Sequence, residues 1–120
     1  METDKKHPFD LERRTTEFAK QVILLCRKLP KDAVNSRLVS QVVGSSGSIG
    51  ANYREANDTL GPKDFVSRLR ISRRETKETM HWLELIETAN SERKIEIKPL
   101  SNEAIELCKI FSTIIKKNSN

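Results

Sequence analysis

Apolar residues recur along this 120-residue chain at intervals of three and four positions. In the first such segment Phe18, Val22, Leu25 and Leu29 follow one another at steps of four, three and four. These positions lie on one face of an α-helix, and that face must pack against a partner. Gly and Pro, which most destabilise helix interiors, occur only four times each. The pattern therefore predicts an all-helical chain.

Two helices are predicted in the first half of the chain. The first covers about residues 11–29: the Asp10 carboxylate can accept hydrogen bonds from its first turn, and Pro30 ends it. The second covers residues 36–56, although residues 44–51 are almost all small and by propensity would form a loop. Because the apolar stripe continues through them in register, we expect one helix. The alternative is a break near Gly47 that leaves two short helices.

Two more helices are predicted in the second half. Pro62 suits the first position of a helix covering residues 62–89. Residues 91–99 are predicted to form a polar, partly extended connection, followed by a helix over residues 102–117 with Ser101 as its N-cap. Leu100 and Ile105 would form a hydrophobic staple at that cap. Four amphipathic helices with short connections predict a single-domain, all-α antiparallel four-helix bundle.

The third helix divides into three surfaces at about 100° per residue. The predicted core stripe consists of Phe65, Leu69, Ser72, Thr76 and Leu83. A second apolar stripe consists of Ile71, Trp82 and Leu85. A lone bundle would leave this second stripe partly exposed, so we predict that it is a homo-oligomer interface. The alternative is a wider core that turns Trp82 inward.

A basic surface is predicted opposite the core stripe. It consists of Arg70, Arg73, Arg74, Lys77 and His81. From Arg68 to Lys77 there are five basic residues and one acidic residue, a local net charge of +4, in a chain with net charge +5. Arginine suits bidentate phosphate contacts, so this surface is a candidate nucleic-acid site that Arg54 and Lys63 would extend. The alternative is a solvated face with ion pairs such as Arg74–Glu78.

No catalytic or metal-binding constellation is evident. Helical di-iron sites need two Glu-x-x-His pairs, and Glu78 to His81 is the single match, since the other histidine is His7. We therefore expect no enzyme activity, no cofactor and no metal. The chain has no apolar run of about 20 residues and no signal-peptide pattern, so we expect a cytoplasmic protein. Cys26 and Cys108 are then expected to be reduced core residues rather than a disulfide.

One stretch resembles a known family. The run from Ser48 to Ala56 contains the pattern formed by Ser48, Ala51, Asn52 and Glu55, and similar residues follow at Asp64-Phe65 and Trp82-Leu83-Glu84-Leu85. These resemble the four-helix-bundle proteins encoded by intervening sequences in bacterial 23S ribosomal RNA genes. His81 stands where tyrosine is expected and Ala56 where other members have glycine, and neither difference threatens the fold.

The resemblance implies a bundle that assembles as a ring-like pentamer and binds nucleic acid. A related branch serves diversity-generating retroelements, which adds a reverse transcriptase or other protein as a partner. The predicted function is therefore a non-catalytic homo-oligomer that binds RNA or DNA through its basic helical face. The alternative is a scaffold whose basic face binds an acidic protein. We also expect Asn52 to be at least half-buried and hydrogen-bonded to a neighbouring helix, because an unpaired buried amide costs about 1–3 kcal/mol.

Overall fold

Four long helices run antiparallel to their sequence neighbours. Their bounds are α1 (Glu2–Lys28), α2 (Ala33–Asn57), α3 (Pro62–Ala89) and α4 (Lys94–Asn118), with a short 3-10 turn at Ser91–Arg93. The structure is a computed structural model that describes the backbone of residues 2–119 and the side chains of residues 10–119. This part of the chain contains no strand. The predicted antiparallel four-helix bundle is confirmed.

The helices surround one core in a square arrangement. α1 packs against α2 and α4, and α3 packs against the same two helices from the other side, so α1 and α3 lie diagonally opposite. Each helix contributes apolar side chains to the core, among them Val22, Ile49, Leu69, Leu83, Leu107 and Phe111, all fully buried. The core stripe predicted for α3 is confirmed for Leu69, Ser72, Thr76 and Leu83, whereas Phe65 is half-buried.

The small-residue stretch of α2 is helical throughout, as predicted. Its small side chains let the neighbouring helices approach closely. Gly50 is buried against Thr15 of α1, and a Cβ atom built on Gly50 would lie 2.8 Å from the Thr15 Oγ1. On the other side, Ser72 of α3 donates a hydrogen bond of 2.9 Å to the carbonyl oxygen of Ile49. Gly50 is therefore needed for the close packing of α2 on α1, and the backbone carbonyl of Ile49 beside it for the contact with α3.

A buried amide pair joins the start of α2 to the end of α3. The Asn35 Nδ2 donates to the Asn90 Oδ1 at 3.0 Å, and the Asn90 Nδ2 donates to the Asn35 Oδ1 at 2.8 Å. Each amide also donates to a backbone carbonyl, of Pro30 and Ile86 respectively. Burying these groups is tolerable because they are hydrogen-bonded. The pair fixes the register of α2 on α3.

Several predicted helix ends are wrong. α1 begins at Glu2, so Asp10 lies inside it rather than at its cap, and α2 begins at Ala33 with Asp32 as its N-cap. The Asp32 carboxylate accepts a hydrogen bond of 2.8 Å from the backbone N–H of Asn35. With this cap α2 begins three residues before the predicted start at Ser36. The apolar pattern of residues 33–35 is too weak to indicate a helix.

The largest correction concerns α4, which begins at Lys94 and contains Pro99. The predicted polar connection over 91–99 is therefore mostly helix. Ser101 lies inside α4 and is not an N-cap, so Leu100 and Ile105 do not flank a helix start and form no staple. Ile97 is fully buried, and its packing stabilises the added turns. Pro99 has no backbone N–H, so the helical hydrogen bond to the carbonyl of Ile95 is missing. Ile95 is 88% exposed, so this missing bond lies on the solvent side of α4.

Replacing Gly50 with alanine should destabilise the bundle by about 1–3 kcal/mol, because the new methyl group overlaps Thr15. Thr15 cannot easily move: it is fully buried, and its hydroxyl donates to the carbonyl of Leu11 at 2.7 Å. Gly44→Ala and Gly47→Ala are matched controls, because a Cβ atom at either position meets nothing within 4 Å. These controls should stabilise the protein by up to about 1 kcal/mol each. Urea unfolding followed by circular dichroism measures all three, and equal stability of Gly50→Ala and Gly44→Ala would contradict the packing argument.

Candidate nucleic-acid interface

The orientation of α3 is fixed by its contacts with α2. Ser72 donates to the carbonyl of Ile49, and the hydroxyls of Thr79 and Ser45 lie 2.8 Å apart in a buried hydrogen bond. Arg70 and Lys77 each precede one of these contact residues by two positions, which places them roughly 160° around the helix. The predicted basic surface therefore lies on the side of α3 that faces away from α2.

The basic residues on this side of α3 make no close ion pairs. Arg70, Arg74 and Lys77 are exposed, and within residues 10–119 none of them, nor Arg73, makes an ion pair within 4 Å. The Arg74–Glu78 pair of the alternative interpretation does not form. Some basic residues elsewhere are paired across helices, as Arg14 is with Glu103 at 2.6 Å. Others outside α3, such as Arg13 and Arg27 of α1, also make no ion pair within residues 10–119. What distinguishes α3 is that four of its unpaired cations, from Arg70 to Lys77, lie within eight residues.

Arg73 differs from its neighbours because it is half-buried. It follows the buried Ser72 directly and so lies about 100° from it, toward α4. The prediction that Arg73 points away from the core is wrong in this respect. Arg70 and Arg74 are the arginines of this cluster that solvent reaches freely.

Lys63 and Arg70 come together at one end of the bundle. They line an open cavity of about 630 Å³ between the start of α3 and the end of α4, with Ser67, Asn118 and Ser119 among the other lining residues. Lys63 precedes Arg70 by seven residues, which puts both on one face of α3. The predicted extension of the basic surface to Lys63 therefore agrees with the geometry.

Arg54 does not lie on the basic surface of α3. Its guanidinium donates to a Glu12 carboxylate oxygen at 2.9 Å and to the Thr16 hydroxyl at 3.2 Å, both on α1. Since α1 is diagonal to α3, Arg54 does not extend the α3 surface. The sequence could not show this, because Glu12 and Arg54 are far apart in the chain and meet only in the folded bundle.

Asn52 of the family pattern behaves as expected. It is half-buried, donates to the carbonyl of Ser48 at 2.9 Å, and accepts a bond of 3.4 Å from Arg68 of α3. Of the remaining pattern residues, Ala51 and Glu55 are exposed on α2 and Ser48 is half-buried. The pattern thus follows the outer side of α2, with Asn52 at its contact with α3.

The predicted interface stripe is only partly exposed. Ile71 and Trp82 are half-buried, and Leu85 is 38% exposed. Trp82 packs against the core cluster, as the alternative interpretation proposed, and its ring lies edge-on to that of His81 with centroids 4.8 Å apart. Because His81 belongs to the predicted basic surface, that surface and the stripe meet at the contact between His81 and Trp82.

Two ionisable groups, Glu75 of α3 and Cys26 of α1, have raised pKa values. Burial raises the pKa of the Glu75 carboxyl, the nearby Glu78 raises it further, and Arg74 opposes the change. Burial also raises the pKa of the Cys26 thiol to about 11, so little of the reactive thiolate exists at neutral pH. Cys26 and Cys108 are both free and half-buried.

Residues 10–119 contain no group of three or more His, Cys, Asp or Glu side chains placed to hold a metal ion. The predicted Glu78 and His81 match remains isolated there, and the His7 side chain lies outside the described residues.

None of the helices in the described part of the chain is long and apolar enough to cross a membrane.

Comparison with known proteins agrees with the resemblance seen in the sequence. A search among curated proteins gave no match. A crystal structure from Bacteroides thetaiotaomicron, described as a protein of unknown function from the S23 ribosomal protein family, is 30% identical with a TM-score of 0.78. The alignment covers 88% of this chain and 97% of that one. Neither this neighbour nor the matching family model indicates a catalytic family. Because the model of the 23S rRNA-intervening sequence proteins matches residues 9–113, the chain belongs to that family.

Proposed function

We propose that this protein is a non-catalytic homo-oligomer that binds nucleic acid through the exposed basic residues of α3. The observation that carries the proposal is that Arg70, Arg74 and Lys77 are exposed side by side on α3 and make no ion pair within 4 Å among residues 10–119. Internal ion pairs would compete with phosphate for these cations. Unpaired arginines can instead make bidentate hydrogen bonds to phosphate oxygens without first breaking a contact within the protein.

The chemistry of this surface favours contacts with the nucleic-acid backbone. Phosphate contacts carry no base information, so binding through the α3 cations should be largely independent of sequence. About four such contacts give an affinity that falls with salt at a log–log slope near −3.6 on duplex DNA. One cluster alone therefore binds weakly, and an oligomer that repeats it gains avidity, on the order of 10²–10⁴ where the geometry allows joint engagement.

The double substitution Arg70→Glu with Arg74→Glu should abolish binding to a mixed-sequence duplex at low salt. Both residues are exposed, so the thermal unfolding midpoint should change little. The matched control is Arg13→Glu with Arg27→Glu, because both arginines are exposed on α1, diagonal to α3, and have no ion pair within residues 10–119. Fluorescence anisotropy with labelled RNA and DNA measures the affinities. Wild-type protein that binds neither polymer at low salt would refute the proposal, and the basic face would then be assigned to an acidic protein partner.

The proposed assembly is the pentamer that the family resemblance implies, held in part by Ile71, Trp82 and Leu85. Light scattering should then report close to five times the chain mass of 13.8 kDa. Ile71→Glu should lower that mass, because Ile71 is only half-buried within one chain and a charge in an interface is costly. Ile23→Glu, at a 43% exposed position on α1, is the control. A wild-type monomer at micromolar concentration would contradict the assembly, and an unchanged mass for Ile71→Glu would place the interface elsewhere.

A further inference from the structure

We infer that α4 supplies a second row of cations, Lys98 and Lys116, and that this row and the α3 cluster together bind double-stranded nucleic acid across its two backbones. The inference rests on the proposed function and adds to it both a helix and a class of ligand. It follows from how charge is distributed around α4 and from which side of α4 adjoins α3.

All acidic residues of α4 lie toward α1. Glu96 accepts a hydrogen bond of 2.9 Å from Lys28, and Glu103 accepts bonds of 2.6 and 3.0 Å from the Arg14 guanidinium. Glu106 also interacts electrostatically with Arg14. One flank of α4 therefore carries its carboxylates. Those of Glu96 and Glu103 are engaged by basic residues of α1, whereas Glu106 forms an ion pair of 3.7 Å with Lys109 of α4 itself.

The opposite flank of α4 carries lysines. Lys98 lies two residues after Glu96, roughly 160° around the helix, and Lys116 lies 18 residues further, which is about five turns or 27 Å along the same line. Both lysines are exposed and make no ion pair within residues 10–119. Ile105, Lys109 and Ser112 lie between them within about 40° of the same line. Lys109 is paired with Glu106 at 3.7 Å and is therefore left out of the row. This flank borders α3, because the ammonium of Lys94, about 40° from the same line, lies 4.0 Å from the Glu87 carboxylate of α3.

The two rows meet across the α3–α4 groove. At one end, Lys63 and Arg70 line the same cavity as Asn118 and Ser119, which directly follow Lys116 and Lys117. At the other end, the Lys94 ammonium lies 4.0 Å from the Glu87 carboxylate of α3. Glu84 and Glu87 both lie toward this second end, so the excess positive charge is greatest near Lys116 and Arg70.

Two rows of cations suit a ligand with two phosphate backbones. Packed helix axes lie about 8–10 Å apart, which is comparable to the widths of the duplex grooves, about 6 and 12 Å in B-DNA. Proteins that hold single strands add exposed aromatic side chains on which the bases stack. Among residues 10–119, every Phe, Tyr and Trp is buried or half-buried, and so none is available as an open stacking platform on this face. A duplex is therefore the better match.

The experiment compares the full-length protein on a 20-base-pair duplex and on each of its single strands, over a range of salt concentrations. The variant is Lys98→Glu with Lys116→Glu, and the control is again Arg13→Glu with Arg27→Glu, which changes the net charge equally. Wild-type protein should bind the duplex more tightly than either strand. Loss of two phosphate contacts should make the slope of log affinity against log salt concentration shallower by about 2. The affinity for the duplex at about 0.1 M salt should fall on the order of 50-fold.

The possible results distinguish failure of the α4 lysine row from failure of the proposed α3 site. If the lysine variant binds the duplex like the control while Arg70→Glu with Arg74→Glu abolishes binding, the second row is wrong and the α3 site stands. If single strands bind as tightly as the duplex, the ligand class is wrong. If wild-type protein binds none of them, the proposed function itself fails. Lys98→Gln with Lys116→Gln, which removes the charges without reversing them, keeps the test decisive if the Glu variant does not fold.

Discussion

The close approach of α2 to its two neighbours is the contact on which the rest of this bundle depends. Gly50 leaves no room for a side chain against Thr15 of α1, and Ser72 of α3 reaches the backbone carbonyl of Ile49. Such distances are available only where the facing residues are small. The contact between Ser72 and Ile49 fixes the rotation of α3 about its own axis, and this rotation decides which residues of α3 are left facing solvent.

Polar groups inside the core set the register that the apolar residues leave open. Apolar side chains pack acceptably in more than one alignment, whereas a buried hydroxyl or amide is stable only opposite its partner. Ser45 and Thr79 form one such pair, and Asn35 and Asn90 form another near the far end of the same two helices. Sliding α3 by one turn would separate both pairs at once. The alignment of the α3 cations along the bundle follows from these hydrogen bonds.

The sequence predicted the parts of the fold that depend on local pattern and missed those that depend on distant residues. The helical small-residue stretch and the bounds of α3 were predicted correctly because apolar spacing and Pro62 are local signals. The start of α4 was wrong because Pro99 is a strong local sign of a break, and burial of Ile97 outweighs it. Arg54 was assigned to the wrong surface because its partner, Glu12, lies on another helix. Arg73 was misjudged for a similar reason, since its environment depends on where α4 lies.

The division of charge around α3 has a consequence for how the molecule meets a charged polymer at a distance. On the flank near α2, Glu75 lies within about 60° of Ser72 and its charge is offset by the nearby Arg68. The other flank carries Lys63, Arg70 and Lys77, which Glu84 offsets only in part. α3 therefore contributes an electric dipole component across the long axis of the bundle. In the field of a polyanion such a molecule experiences a torque before any atoms touch, which turns the basic flank toward the polymer. Rotational alignment during approach shortens the search for a productive encounter, and it weakens as salt shortens the Debye length from about 30 Å at 0.01 M to about 8 Å at 0.15 M.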